Sequence, residues 1–196
     1  MFRWIALSVF VASLAISAWH RARARRTTGT IARGAEPPLL IAGRLLVALP
    51  LFGGVITYLL DPEWMRWAAL PIPVSVRWAG VALGLLVVPA VDWVLRTLGA
   101  NVSETVLTKA EHRLVTTGPY RWVRHPLYTV GIALFASVGL MAANGFILAW
   151  TVLALIAVRL VVIPREEAEL ERAFGDEYRR YGERTGALLP RLPGYR

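Results

Sequence analysis

The sequence predicts an all-α, polytopic membrane protein with about five transmembrane helices, a C-terminal helical hairpin and a cytoplasmic amphipathic helix. Three observations carry that expectation. Of the 196 residues, 56% are hydrophobic and only 18% charged, against about 25% charged in an ordinary soluble domain. The apolar residues arrive in blocks close to the roughly 20 residues that a helix needs to cross a bilayer core of about 30 Å. The 22 basic residues, all but one of them Arg, outnumber 13 acidic ones and sit between those blocks.

Disorder is excluded by this hydrophobicity. The excess of +9 is better explained by membrane topology than by a nucleic-acid partner. Cysteine is absent, which excludes disulfides, thiolate metal sites and cysteine nucleophiles. The three histidines stand apart at positions 20, 112 and 125, without metal-site spacing.

Taken in order, the first span runs from Trp4 to Trp19. The arginines that follow it, and the lack of a clear cleavage site, favour a retained helix over a signal peptide. The second span is Pro38 to Leu60. The third lies between Arg77 and Arg96 and contains Pro89 and Asp92. Pro71 and Pro73 argue against a regular span over Ala68–Val76. The fourth runs from Pro126 to Ala142 and the fifth from Phe146 to Ile163. Only Ala143-Asn144-Gly145 separates these two, which forces an antiparallel hairpin. Gly80 and Gly84 form a small-xxx-small pair suited to helix packing, and Asp92 is placed to pair with Arg96.

Seventeen of the basic residues fall in the segments after spans one, three and five, against Arg3, Arg66 and Arg77 on the other side. The positive-inside rule then places the N-terminus outside and the C-terminus in the cytoplasm. The whole chain, 1–196, is expected to form a single integral membrane domain. Its Arg-, Ala- and Val-rich composition has a prokaryotic look and suggests an inner or plasma membrane.

Two cytoplasmic pieces are large enough to build a site. In the first, a Gly-Pro turn at Gly118 leads through Tyr120 to Arg121, Trp122, Arg124, His125 and Pro126 at the mouth of the fourth helix. Composition alone reads this as an interface collar: Pro126 at the first helical position, Trp122 and Tyr128 in an aromatic belt, arginines facing lipid phosphates. In the second, Pro164 precedes Glu166, Glu167, Glu169 and Glu171, and Leu170, Phe174, Tyr178 and Tyr181 share one helical face. The acids suit a helix N-terminus, with Arg165 and Glu169 as a pair. Four glutamates within six residues beside an anionic membrane nevertheless call for a cation, either Arg121 and Arg124 or a cationic ligand.

The run Gly118-Pro-Tyr-Arg-Trp-Val-Arg-His-Pro-Leu-Tyr128, followed by the hairpin, then Glu166-Glu167 and Phe174-Gly-Asp-Glu-Tyr178-x-x-Tyr181, resembles the isoprenylcysteine carboxyl methyltransferase family, which is related to the phospholipid N-methyltransferases. The resemblance covers a core of about 98–190. The sequence departs from the family's pattern in one place: Gly131 stands three residues after Tyr128 rather than two.

The resemblance implies methyl transfer from S-adenosylmethionine, at a cytoplasm-facing pocket, to a lipophilic small molecule or prenylated substrate reached among the membrane lipids. By it, His125, Tyr128 and Glu166 line the cofactor pocket, Gly118 and Tyr120 shape the turn beneath, and Arg124 and Glu167 act at the reacting centre. A carboxylate acceptor needs only orientation by Arg124, whereas an amine needs a proton acceptor such as Glu167; the sequence leaves both open. A non-catalytic scaffold or transporter subunit is the alternative of a different class, and a basic membrane-surface adaptor is a third.

Overall fold

Lipid offers no partner to backbone N–H and C=O groups, so apolar blocks of span length must satisfy them internally as helix. The computed structural model describes residues 1–28, 38–99 and 114–191. Seven helices occupy them: α1 (Phe2–Thr28), α2 (Pro38–Leu60), α3 (Val74–Leu98), α4 (Pro126–Ala142), α5 (Gly145–Ala157), α6 (Ile163–Phe174) and α7 (Asp176–Arg184). No strand occurs among the described residues, and the protein is an all-α polytopic membrane protein. Four helical segments, Phe2–Arg26, Ile41–Leu60, Val74–Leu98 and Gly145–Phe174, are long and apolar enough to cross a membrane. The expected fourth span, Pro126–Ala142, is a shorter apolar helix of 17 residues, rising roughly 25 Å.

Two expected boundaries differ. The first helix does not end at Trp19 but continues through Arg21, Arg23, Arg25 and Arg26 to Thr28, since arginine is a good helix former once its head reaches water. The amphipathic helix is not a separate element starting at Pro164. It continues α5 through one π-helical turn at Val158–Val162, in which Ile163 N–H bonds to Val158 C=O. That turn absorbs the N–H that Pro164 lacks, so the proline opens α6 instead of breaking it. The real break comes at Gly175, with φ of +52°, which divides the expected Leu170–Tyr181 face. Tyr178 and Tyr181 on α7 are buried, while Leu170 and Phe174 are half-buried.

The hairpin forms as its length requires. Ala143 takes the left-handed conformation at the end of α4. Asn144 caps α5 by accepting from Ile147 N–H at 3.1 Å, and its amide donates to Met65 C=O at 3.1 Å. The core lies between α1, α3 and α4, around Val9, Val87, Leu95, Leu134, Val138 and Met141. Outward faces carry Leu46, Leu86, Ile156 and Leu160, as lipid contact demands.

The packing of α3 against α4 and α1 depends on the predicted glycine pair. A Cβ on Gly80 would lie 2.8 Å from Leu140 Cβ and 2.9 Å from the Met141 backbone nitrogen, and one on Gly84 would lie 3.1 Å from Val9 Cγ1. Around Gly131 a Cβ would meet nothing within 4 Å, so the shifted glycine serves no close backbone approach. Gly80→Val should therefore lower thermal stability in detergent by about 1–3 kcal/mol through overpacking. Gly131→Ala should leave the melting temperature unchanged or slightly raised. Melts of the two variants side by side check both statements.

Candidate active site

The site is built where the turn before α4 meets the helices after α5. Gly118 has φ of +56°, and a Cβ there would lie 2.8 Å from Thr97 Oγ1 on α3, so glycine suits both the conformation and the space. Gly118–Arg121 form a 3-10 turn. From there the chain runs beside a strap that follows α7. Arg124 N–H donates to Gly186 C=O at 2.8 Å, His125 N–H to Ala187 C=O at 3.0 Å, and Thr129 Oγ1 to Leu188 C=O at 2.7 Å. Tyr181 anchors the arrangement by donating its hydroxyl to Tyr120 C=O at 2.6 Å.

Against this frame the C-terminal helix brings its acids. The apolar part of the span ends at Ile163, and the charged α6 lies beyond it. Arg124 Nε donates to Glu167 Oε1 at 2.8 Å, and His125 Nε2 reaches the same oxygen at 3.2 Å. Arg124 Nη1 also donates to Gly182 C=O at 3.0 Å and to Thr185 C=O. His125 Nδ1 faces Glu166 Oε2 at 3.5 Å, too far for a good hydrogen bond, and that buried oxygen has no hydrogen-bond partner. The Tyr178 hydroxyl is likewise buried and unpartnered. Tyr128 stacks on the His125 ring at 5.9 Å between centroids.

Electrostatics follow from this geometry. Burial opposes charge on His125, but its close contacts with and attraction to Glu166 and Glu167 outweigh it and raise its pKa above the ordinary 6.5. Burial also opposes charge on Glu167, yet the hydrogen bonds and charges of His125 and Arg124 hold it down at about 2. Burial, with help from the nearby glutamates, pushes the Tyr120 and Tyr178 phenols up. The cluster thus favours the protonated imidazole and sets it, with a guanidinium, against an ionised carboxylate.

Of the residues expected from sequence, Arg124, His125, Tyr128, Glu166 and Glu167 come together in one network, and Gly118 and Tyr120 form the turn beside it. Arg124 spends two of its nitrogens on the protein, an engagement that sequence did not suggest. Tyr128 packs on His125 instead of standing in an aromatic belt, while Trp122 is exposed beside Trp93. Glu169 pairs with Arg172 at 2.6 Å rather than with Arg165. Asp92 does pair with Arg96, and takes a second partner in buried His20, with Nε2 to Oδ1 at 2.9 Å. His112 and Arg196 lie outside the described residues. Sequence reasoning missed Tyr178, Tyr181, Thr129 and the strap carbonyls. The Tyr178-x-x-Tyr181 spacing, read as an apolar face and as part of the family resemblance, was the available signal.

The chain is similar to known proteins. Residues 80–172 match the isoprenylcysteine carboxyl methyltransferase (ICMT) family. Over the full chain, the fold resembles that of a eukaryotic intramembrane Ras methyltransferase, ICMT, with a TM-score of 0.55 and 19% identity, covering 98% of this chain and 70% of that one. The cobalt-zinc-cadmium resistance protein CzcN of Cupriavidus metallidurans is 36% identical over 88 residues, 45% of this chain and 40% of that protein. The protein-S-isoprenylcysteine O-methyltransferase of Schizosaccharomyces pombe is 33% identical over 99 residues, 48% of this chain and 41% of that protein. The chain thus spans about two fifths of the length of these curated relatives. The ICMT match contains the hairpin and both glutamates but stops short of α7 and its strap.

The cluster gives stability a signed pH dependence. The raised His125 pKa makes its contribution complete below the ordinary 6.5 and lost as pH climbs through the folded value. The lowered Glu167 pKa makes its contribution complete above the ordinary 4.5 and lost as pH falls toward about 2. The melting-temperature gap between wild type and His125→Gln should be widest between those two ordinary values and narrow toward alkaline pH. A gap that widens as pH rises above the ordinary 6.5 would contradict the assignment.

Proposed function

We propose that the chain is an S-adenosylmethionine-dependent membrane methyltransferase whose acceptor is lipophilic and already ionised, of the prenylcysteine-carboxylate type. The observation that carries this reading is the buried Glu166 Oε2, which accepts no hydrogen bond and has only the His125 ring near it at 3.5 Å, at the mouth of the hairpin and inside the ICMT-matching segment. A buried carboxylate oxygen without a donor is costly, and the ammonium or a ribose hydroxyl of the cofactor would satisfy it. The Tyr178 hydroxyl offers a second polar contact, and the His125 imidazolium suits the cofactor's carboxylate. Tyr128 supplies an aromatic wall, and Gly118 and Tyr120 hold the turn against which that wall stands.

The cofactor supplies an electrophilic methyl on a sulfonium, and transfer to an acceptor lone pair breaks the carbon–sulfur bond and leaves a neutral thioether. The chain's part is positioning and exclusion of water. Glu167 is a poor proton acceptor when held at about 2, and the glutamates beside His125 raise its pKa and favour its protonated form. Glu167 is therefore not poised to deprotonate an amine, which favours a carboxylate over a phospholipid amine. Arg124 positions Glu167 through its Nε, and its Nη2 makes no hydrogen bond among the described residues, which leaves that group to orient an anionic acceptor. The name of the S. pombe relative supports the same acceptor class. The arginine distribution supports a site on the cytoplasmic face.

The test is S-adenosylhomocysteine binding to detergent-purified protein by calorimetry, for wild type, Glu166→Gln, His125→Ala and Glu167→Ala. Wild type should bind, and each variant should weaken binding by about tenfold or more, as loss of a charge-assisted contact implies. Far-ultraviolet circular dichroism checks that each variant is folded. No binding to well-folded wild type would remove the enzyme reading in favour of a scaffold. With binding in hand, labelled methyl should pass to a prenylcysteine carboxylate and not to phosphatidylethanolamine.

A further inference from the structure

The other end of the bundle holds a cavity that methyl transfer does not use. It has a volume of about 580 Å³ and lies where the start of α1, the end of α2, the start of α3 and the end of α4 converge. The length of α4 separates it from the His125 cluster, roughly 25 Å for 17 residues. Its polar lining is Arg3, Tyr58, Glu63, Arg66, Arg77 and Asn144.

These groups do not cancel one another. Glu63 is paired with Arg66 at 3.4 Å, both well exposed. Asn144 is occupied by Met65 C=O and by Ile147 N–H. Arg3 and Arg77 have no carboxylate partner among the described residues. Arg77 Nε and Nη2 both donate to Met141 C=O, at 2.9 and 2.8 Å, and the guanidinium lies 4.1 Å above the Phe2 ring. Arg3 Nε donates to Leu59 C=O at 2.8 Å, and its Nη2 to Leu60 C=O. Both cations are thereby held at helix C-termini, α4 and α2, where the macrodipole suits them. A guanidinium has five N–H donors, so each keeps donors in hand. Tyr58, itself buried, stands against Arg77.

The surroundings say where such a cavity sits. Trp4, Trp64, Trp67 and Trp78 ring this end and are between 46% and 72% exposed. Exposed tryptophans gathered at one end of a membrane bundle mark the headgroup level. An anion bound at this depth would sit among lipid phosphates, and guanidiniums that no acid neutralises suit a phosphate group.

We propose that this cavity is a binding site for an anionic glycerophospholipid, whose phosphate is clamped between Arg3 and Arg77 with the Tyr58 hydroxyl beside it. The acyl chains leave along the apolar flanks of the helices. A zwitterionic lipid fits less well, because its own cation would stand beside two arginines that no acid neutralises. The site is independent of the methyltransferase reading and survives its failure.

Native mass spectrometry of the full chain in mild detergent tests it, with phosphatidylglycerol, phosphatidylcholine and inorganic phosphate as separate additions. Wild type should retain phosphatidylglycerol in preference to phosphatidylcholine, and inorganic phosphate should neither displace it nor raise the melting temperature as it does. Arg3→Gln and Arg77→Lys should each lower phosphatidylglycerol retention by about tenfold, the scale of one charge-assisted hydrogen bond. Arg77→Lys keeps the charge but loses the two-nitrogen grip on Met141 C=O; should it fail to fold, Arg3→Gln decides. Equal retention of the two lipids, or undiminished retention by folded variants, overturns the proposal. Stabilisation by inorganic phosphate equal to that by lipid overturns the lipid as the source of the anion.

Discussion

One carboxylate oxygen holds the functional end of this protein together. Glu167 Oε1 receives Arg124 from one side and His125 from the other, and these residues come from segments more than 40 positions apart. Without that oxygen, α6 would carry its acids past the end of the span with nothing to hold them over the turn before α4. Without Arg124, the carbonyls of Gly182 and Thr185 would lose their donor and the strap would lose an anchor. The low dielectric around the cluster strengthens each of these bonds and makes any missing partner expensive. The acids, the turn and the strap are consequently fixed as a unit.

The path of α5 into α6 makes that meeting possible. A helix leaving the membrane could turn along the surface, and a proline at position 164 is a natural place to do so. The π turn at Val158–Val162 instead admits one extra residue, which rotates everything beyond it by about 100° relative to an unbroken helix. Glu166 and Glu167 therefore face a direction that the periodicity of α5 does not set. The left-handed Gly175 then redirects α7 so that Tyr178 and Tyr181 turn back over the site.

These two features also explain what could and could not be read from the sequence. The hairpin was legible because three residues leave no other geometry, and Pro126 and Asn144 occupy positions with a local chemical reason. The glycine pair at 80 and 84 was legible as a packing signal, although its partners, Leu140 and Val9, were not. The Arg124-His125-Pro126 segment and the glutamate pair could be set side by side only through the family resemblance, since their contact depends on the π turn, for which no residue pattern is diagnostic. The run of arginines after Trp19 looked like a loop because charge was weighed above helix propensity. His20 could not be matched to Asp92, because a contact between two spans depends on their relative rotation.

The same logic accounts for the arginines at the far end. Topology places most of the cations elsewhere, so those that remain need a structural reason or a partner. Arg66 has Glu63, in an exposed pair of small energetic weight. Arg3 and Arg77 instead hold backbone carbonyls that the last turns of α2 and α4 would otherwise leave without a donor. That service needs only part of each guanidinium, and a neutral donor such as glutamine could perform it without bringing charge to this side. Two positive charges kept half-buried beside an open cavity, with no acid to balance them, are better explained by an anion that visits the cavity than by helix capping alone.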